Sequence, residues 1–110
     1  MDPRSDCLEF INPATGEKFG EVRMSTEADV LVARREMAAA HHTWAAKPLK
    51  ERARIVKEFQ RVVIDAADEL TAVVNQDHGK SRGDALHEVI MTVDKIHQYA
   101  RLAPKWLGRR

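Results

Sequence analysis

The spacing of apolar residues along the chain changes near residue 25. Before that point, residues 8–11 and 18–24 alternate roughly between apolar and polar side chains, which is typical of half-buried strands. Residues 12–16 lie between them and carry turn-forming side chains, with Gly16 free to adopt a positive φ. The pattern predicts a β-hairpin over residues 8–24. The alternative is an irregular arm, because an isolated hairpin is barely stable unless it packs on something.

After residue 25 the apolar residues recur with a helical period, and two helix starts are marked by caps. Thr26 stands three residues before Asp29, so its hydroxyl can cap a helix while the carboxylate reaches back to the Thr26 amide. Ser81 and Asp84 repeat this spacing. We therefore expect helices to begin just after Thr26 and just after Ser81.

Proline and glycine mark where these helices end. Pro48 pushes its preceding residue out of helical geometry, Gly79 can serve as a C-terminal cap, and Pro104 is expected to end the last helix. The pattern predicts helices over about 27–46 and 82–102, and by itself it allows one long helix from residue 49 to residue 78.

The predicted helices each carry an apolar stripe, and that of the last helix is expected to face inward. The first consists of Val30, Ala33, Met37, Ala40, His41 and Trp44; the second of Ile55, Val56, Phe59, Val62, Val63, Ala66, Leu70, Val73 and Val74; the last of Leu86, Val89, Ile90, Val93, Ile96, His97 and Ala100. The predicted fold class is mainly α with one N-terminal β-hairpin.

Composition limits the size and the partners of this fold. With 110 residues, of which 44% are hydrophobic, the chain suffices for one compact domain but not for a complete two-domain enzyme. Eighteen basic against 17 acidic residues leave a net charge of +1, which favours neither nucleic acid nor a membrane as partner. A single cysteine, and no apolar leader or span, make a soluble cytoplasmic protein the expectation.

The types and spacing of the side chains alone do not predict a catalytic or cofactor-binding site. Cys7 has no histidine near it in sequence to act as a base, and His41 and His42 diverge on a helix and cannot share a metal ion. Gly79-Lys80-Ser81 resembles the end of a phosphate-binding loop, but the first glycine of such a loop is missing upstream.

Several ordered phrases resemble the amino-terminal quarter of the aldehyde dehydrogenase superfamily. They are FINPATGE at 10–17, STEADV at 25–30, LKERARI at 49–55, ADEL at 67–70, the pair Gly79-Lys80 and the helix over 88–100. Each is weak alone, but together they cover residues 8 to about 107 in a consistent order. LKERARI and the closing PKWL at 104–107 look most like succinate-semialdehyde-type members.

The resemblance implies the N-terminal part of an aldehyde-dehydrogenase-like α/β, Rossmann-like fold, with the rest of the NAD(P)-binding domain formed by later sequence. Apolar faces of the helices would pack against that domain and would remain in water in this segment alone. It divides the chain into a tail (1–7), the family segment (8–107) and a basic exit (108–110). It also places a break near residues 65–67, which turns the long helix into two, over about 49–64 and 67–78.

The resemblance further implies the chemistry of the complete enzyme. Family members oxidise aldehydes through a cysteine thiohemiacetal, hydride transfer to NAD or NADP, and hydrolysis of a thioester assisted by a glutamate. Those residues belong to later parts of such chains, so no cofactor and no activity are expected for this segment alone. The implied partners are the remainder of an aldehyde dehydrogenase chain and further copies of it in a homo-oligomer.

Two groups of site residues follow from the same resemblance. The carbonyls of Phe10 and Ile11 and the carboxylate of Asp77 would hold a monovalent cation, for which oxygen ligands are suitable. Glu88 and Met91 would line the entrance of the substrate tunnel. The alternatives are that Asp77 is a solvated carboxylate at a helix end and that Met91 fills a core.

Two other classes of function compete with an enzyme segment. A free-standing helical interaction module could bind another protein through the stripe of Val30, Met37 and Trp44 or through that of Ile90, Val93 and His97. A small DNA-binding domain would fit the final basic residues only. Neither explains the ordered phrases.

Overall fold

The structure is a computed structural model that describes residues 6–108. Residues 1–5 of the predicted tail, and Arg109 and Arg110 of the predicted basic exit, lie outside the described residues. The elements are β1 (Cys7–Ile11), β2 (Lys18–Arg23), α1 (Glu27–Ala46), α2 (Leu49–Asp65), α3 (Ala67–His78) and α4 (Arg82–Leu107). The prediction of a mainly helical chain with one N-terminal hairpin is confirmed.

The hairpin pairs β1 and β2 antiparallel, with Leu8 opposite Val22. Its turn is closed by a hydrogen bond of 2.7 Å from the Gly16 amide to the Asn12 carbonyl, and Gly16 has the predicted positive φ, +76°. Cys7, which was assigned to the tail, is the first residue of β1. The strand begins earlier than predicted because the ladder continues to the pair of Cys7 and Arg23.

Helix α1 begins with the predicted capping box but buries none of its residues. Its apolar stripe is exposed, with 67% of Met37 and 59% of Val30 accessible. The stripe stays in solvent because no other described element packs extensively against α1.

Helices α2 and α3 both pack on α4, and Ala66 separates them at φ −92° and ψ 8°. The break implied by the family resemblance is therefore present. Gln60 of α2 donates from Nε2 to the Val93 carbonyl of α4 at 3.1 Å. The core at the meeting of these helices consists of Val63, Thr71, Ala85, Val89 and Ala100.

The apolar stripes of α2, α3 and α4 are only partly buried. On α4 the inward prediction holds for Val89 and Ala100 but is wrong for Leu86, Ile90 and His97, which are exposed. Phe59 is 56%, Val62 61% and Ile90 54% exposed. The narrow core uses one side of each stripe and leaves the other side in solvent. In contrast, Ala85 and Thr71 are buried although neither was predicted to be.

Helix α4 extends to Leu107, five residues past its predicted end, and contains Pro104. Proline lacks an N–H and therefore leaves one carbonyl without its helical partner, that of Ala100. The loss is confined to one bond in the last turns, and the fixed φ of proline is compatible with a helix. Pro104 is thus tolerated within α4 instead of ending it.

The short turn between α3 and α4 is built on Gly79, which caps α3 in the left-handed conformation. Asn75 donates from Nδ2 to the carbonyl of Lys80 at 2.5 Å and closes the turn. The hairpin turn lies against Gly79 through Pro13 and Ala14, and β1 packs on α3. The hairpin is therefore held against the helices by its turn and by β1, which contact Gly79 and α3.

Candidate functional site

A shallow groove between α2 and α4 contains one of the two predicted tunnel residues. Its lining consists of Val56, Met91, Thr92, Lys95, Ile96 and Tyr99. Met91, Lys95 and Tyr99 are spaced four residues apart and so share one face of α4, while Val56 is contributed by α2. The groove is mainly apolar, and Lys95 is the one charged residue among the six.

The polar groups of the groove differ in the hydrogen bonds and ion pairs that they already form within the chain. The Thr92 hydroxyl donates to the Glu88 carbonyl at 2.9 Å. Lys95 donates from Nζ to the Gln98 amide oxygen at 3.2 Å, and within residues 6–108 it forms no ion pair with a carboxylate. Tyr99 is 59% exposed. The lysine charge is therefore available to a ligand in the groove.

Glu88, the other predicted tunnel residue, lines a different depression at the junction of α2, α3 and α4. Its neighbours there are Val63, Leu70, Val74, Val89 and Thr92. Its carboxylate pairs with the ammonium of Lys80, whose hydrogen bond lowers the pKa of Glu88. Glu88 and Met91 thus lie on the same helix but border separate grooves. Thr92 lines both grooves.

The predicted cation ligands come from two elements that the fold brings together. Phe10 and Ile11 end β1, and Asp77 lies in the last turn of α3, which packs on β1. The ladder is irregular between Phe10 and Ile11. The Asp77 carboxylate is half exposed and lies 3.6 Å from Nδ1 of His78.

The loop Gly79-Lys80-Ser81 does not fit a nucleotide phosphate. A phosphate-binding loop offers free backbone and side-chain donors, but here Pro13 and Ala14 fill the space beside Gly79. The ammonium of Lys80 is held by Glu88. The Ser81 hydroxyl accepts from the Asp84 amide at 3.1 Å and donates to its carboxylate at 2.7 Å. These groups serve the fold of the turn and the start of α4.

Other site types lack support in residues 6–108. Histidine, cysteine and carboxylate side chains do not gather there in groups of three that could bind a metal ion. Cys7 is a free, exposed thiol. None of the helices in this range combines the length and apolar character needed to cross a membrane.

The sequence model described as "Aldehyde dehydrogenase family" matches residues 1–110, the whole chain. The chain belongs to the aldehyde dehydrogenase family. This confirms the resemblance seen in the ordered phrases of the sequence.

Relatives in this family include malonate-semialdehyde dehydrogenases. That of Bacillus pumilus is 38% identical over 93 residues, which is 84% of this chain and 19% of the relative. Malonate-semialdehyde dehydrogenase 1 of Geobacillus thermodenitrificans is 31% identical over 111 residues, 100% of this chain and 23% of the relative. The chain spans about a fifth of the length of the relatives that it matches.

A solved structure supports the same fold. An NAD-dependent benzaldehyde dehydrogenase from Corynebacterium glutamicum superposes with a TM-score of 0.86 at 23% identity, over 94% of this chain and 22% of that chain. The hairpin and helices therefore adopt the arrangement found in part of an aldehyde dehydrogenase. The finer resemblance to succinate-semialdehyde-type members stays a prediction.

The α2–α4 groove was not predicted beyond Met91. The spacing of Met91, Lys95 and Tyr99 is a helical signal that was present in the sequence. It could not mark a groove, however, because the opposite wall is Val56 of a helix more than thirty residues earlier.

Proposed function

We propose that this chain is the amino-terminal segment of an NAD(P)-dependent aldehyde dehydrogenase. The main support is that the family model matches the whole chain, while the chain spans about a fifth of the length of its relatives. The complete enzyme would convert an aldehyde and water to a carboxylic acid, with hydride transferred to NAD or NADP. The catalytic cysteine, the glutamate and the cofactor loop would lie in the other four fifths.

The shape of the chain supports an incomplete fold. Its radius of gyration is 18.6 Å, whereas a compact domain of this length has about 13 Å. The extents of 54 × 39 × 21 Å describe an elongated body. A chain that closed on its own core would be smaller and rounder.

Exposed apolar side chains and a buried polar atom without a partner also support an incomplete fold. The apolar side chains of α1 are exposed and are not covered by other residues in the range 6–108. Large exposed apolar surfaces in proteins are usually interaction sites. The buried Nε of Arg52 has no hydrogen-bond acceptor among the described residues, and such an unpaired group is unfavourable. The remainder of the enzyme would cover the apolar side chains and supply contacts near Arg52.

The substrate class that we propose is a short aldehyde that also carries a carboxylate. The support is the names of the relatives, which specify malonate semialdehyde, together with the lysine in an apolar groove beside Met91. Succinate semialdehyde, expected from the sequence phrases, belongs to the same chemical class.

The earlier site predictions remain part of this proposal. A monovalent cation at Phe10, Ile11 and Asp77 is supported by the packing of α3 on β1 and by the position of a carboxylate near a helix C-terminus, where a nearby cation is favourable. Met91 and Glu88 remain proposed tunnel residues. A homo-oligomer and the choice between NAD and NADP are properties of the complete enzyme.

The test compares the 110-residue chain with the polypeptide that its gene encodes. We expect the longer polypeptide to reduce NAD or NADP with an aldehyde, and the 110-residue chain to be inactive and to self-associate. Adding the 110-residue chain to a longer polypeptide that lacks these residues should restore activity. Reduction of NAD or NADP by the 110-residue chain itself would contradict the proposal. A monomeric chain with a sharp unfolding transition and no longer gene product would favour an interaction module.

A further inference from the structure

We propose that Lys95 binds the carboxylate of the substrate aldehyde and so determines the preference of the enzyme for semialdehydes. This inference rests on the proposed function, because it requires that the groove between α2 and α4 face the substrate. It assigns a role to a residue that the cation and tunnel predictions do not include.

The electrostatics of the groove support an anionic ligand. Lys95 is the one charged side chain in its lining, and its ammonium is bonded to a neutral amide, that of Gln98. The nearby carboxylate of Glu88 borders the other depression and is already paired with Lys80. A ligand carboxylate in the groove would therefore meet a cation without a competing acidic side chain.

The rest of the lining suits a short carbon chain. Val56, Met91 and Ile96 provide apolar walls, against which methylene groups can pack. The Tyr99 hydroxyl lies one turn beyond Lys95 on the same helix face and offers a second donor. An unbranched aldehyde with a carboxylate at its far end matches this order of apolar wall and cation.

Burial by the rest of the enzyme would strengthen the interaction. In the described chain the groove is shallow and Lys95 is exposed, where an ion pair contributes little. The chain spans about a fifth of the length of the relatives, and sequence that covered the groove would exclude water from it. A hydrogen bond between charged groups then changes affinity by about 10- to 100-fold.

The experiment uses the complete enzyme encoded by the gene, with two substrates of equal carbon number, succinate semialdehyde and butanal. For Lys95→Met we expect kcat/KM with succinate semialdehyde to fall about 10- to 100-fold, mainly through KM, and kcat/KM with butanal to stay within about twofold. Lys95→Arg should retain most of the preference because the positive charge remains. Lys57→Met, on an exposed part of α2 outside this groove, is the control for a general loss of positive charge.

The outcomes separate this inference from the proposed function. Equal losses with both substrates, or no loss with either, would show that Lys95 does not bind the carboxylate, although the enzyme would still be an aldehyde dehydrogenase. A wild-type enzyme that oxidises butanal as well as succinate semialdehyde would also overturn the inference. If the complete wild-type protein oxidises no aldehyde, the proposed function fails and this role for Lys95 fails with it. Should Lys95→Met not fold, Lys95→Gln provides the same comparison.

Discussion

Gly79 and Pro13 are in close contact, although 66 positions separate them in the sequence (79 − 13). A Cβ atom added to Gly79 would lie 2.8 Å from Cγ of Pro13 and 2.9 Å from the amide nitrogen of Ala14. The backbone of Gly79 also has a positive φ of +62°. Two residues that each serve a local turn thus form the joint between the hairpin and the helices.

We expect Gly79→Ala to destabilise the protein by about 2 kcal/mol or more. The left-handed backbone disfavours any side chain by about 1–2 kcal/mol, and the added carbon would also collide with the hairpin turn. Gly16→Ala is the matched control, since Gly16 has a similar φ of +76° with open space around it. Urea unfolding of the two variants measures the difference. Equal losses of unfolding free energy in the two variants would mean that the contact with Pro13 does not affect stability.

Val63→Ala should reduce the free energy of unfolding of the 110-residue chain by about 2 kcal/mol. The substitution removes two buried carbon atoms from the small core and leaves a cavity. The neighbouring Val62 is 61% exposed, against 7% for Val63, so Val62→Ala should change stability by less than about 0.5 kcal/mol. Chemical denaturation of both variants provides the test, and a larger loss for Val62→Ala would contradict the described packing.

The start of α1 should become less stable in acid. The backbone hydrogen bond from Thr26 to the Asp29 carboxylate, aided by the Thr26 hydroxyl, lowers the pKa of Asp29. A carboxyl whose pKa is lowered by folding stabilises the fold above its unfolded pKa, and this contribution is lost as the pH falls through the folded pKa. We expect the helical content of α1 to decrease over that range.

The capping box can be tested by NMR titration of the Asp29 carboxyl carbon. In Thr26→Ala the pKa of Asp29 should move upward, because the hydroxyl bond of 2.8 Å is removed, and the helix should lose about 1 kcal/mol of stability. Thr26→Ser keeps the hydroxyl and should titrate like the wild type. An unchanged titration in Thr26→Ala would show that the hydroxyl does not stabilise the ionised carboxylate.

Hydrogen exchange should distinguish α1 from α4. In the 110-residue chain, diluted until it is monomeric, the amides of α1 should exchange faster than those around Val89, since α1 buries no residue and Val89 lies in the core. In the complete polypeptide, α1 should become protected as its exposed stripe is covered. Equal protection of both helices in the short chain would indicate that α1 already has a partner, such as a second copy.

Local signals in the sequence were sufficient for the secondary structure. The capping box at Thr26, the positive φ at Gly16 and the end of α1 before Pro48 follow from contacts within a few residues, and all are present. There were two exceptions. The pattern by itself allowed one helix over 49–78, and the break at Ala66 followed only from the family resemblance. The other exception was Pro104. Its effect on α4 depends on whether the helix can tolerate one lost hydrogen bond near its end, which a local rule does not decide.

The burial of individual residues was much harder to predict from the sequence than the secondary structure was. Met37 and Phe59 belong to predicted apolar stripes and are exposed, whereas Thr71 belongs to none and is 1% exposed. An apolar period shows which residues share a face of a helix. It does not show whether another element covers that face.

The sequence alone determined the order of the elements, their caps and turns, and membership in the aldehyde dehydrogenase family, because those features depend on neighbouring residues or on ordered phrases. Tertiary structure decided that Gly79 meets Pro13, that Glu88 pairs with Lys80, and that Lys95 faces a groove whose other wall is α2. These relationships join residues far apart in the chain, and their geometry is set by how helices pack in three dimensions.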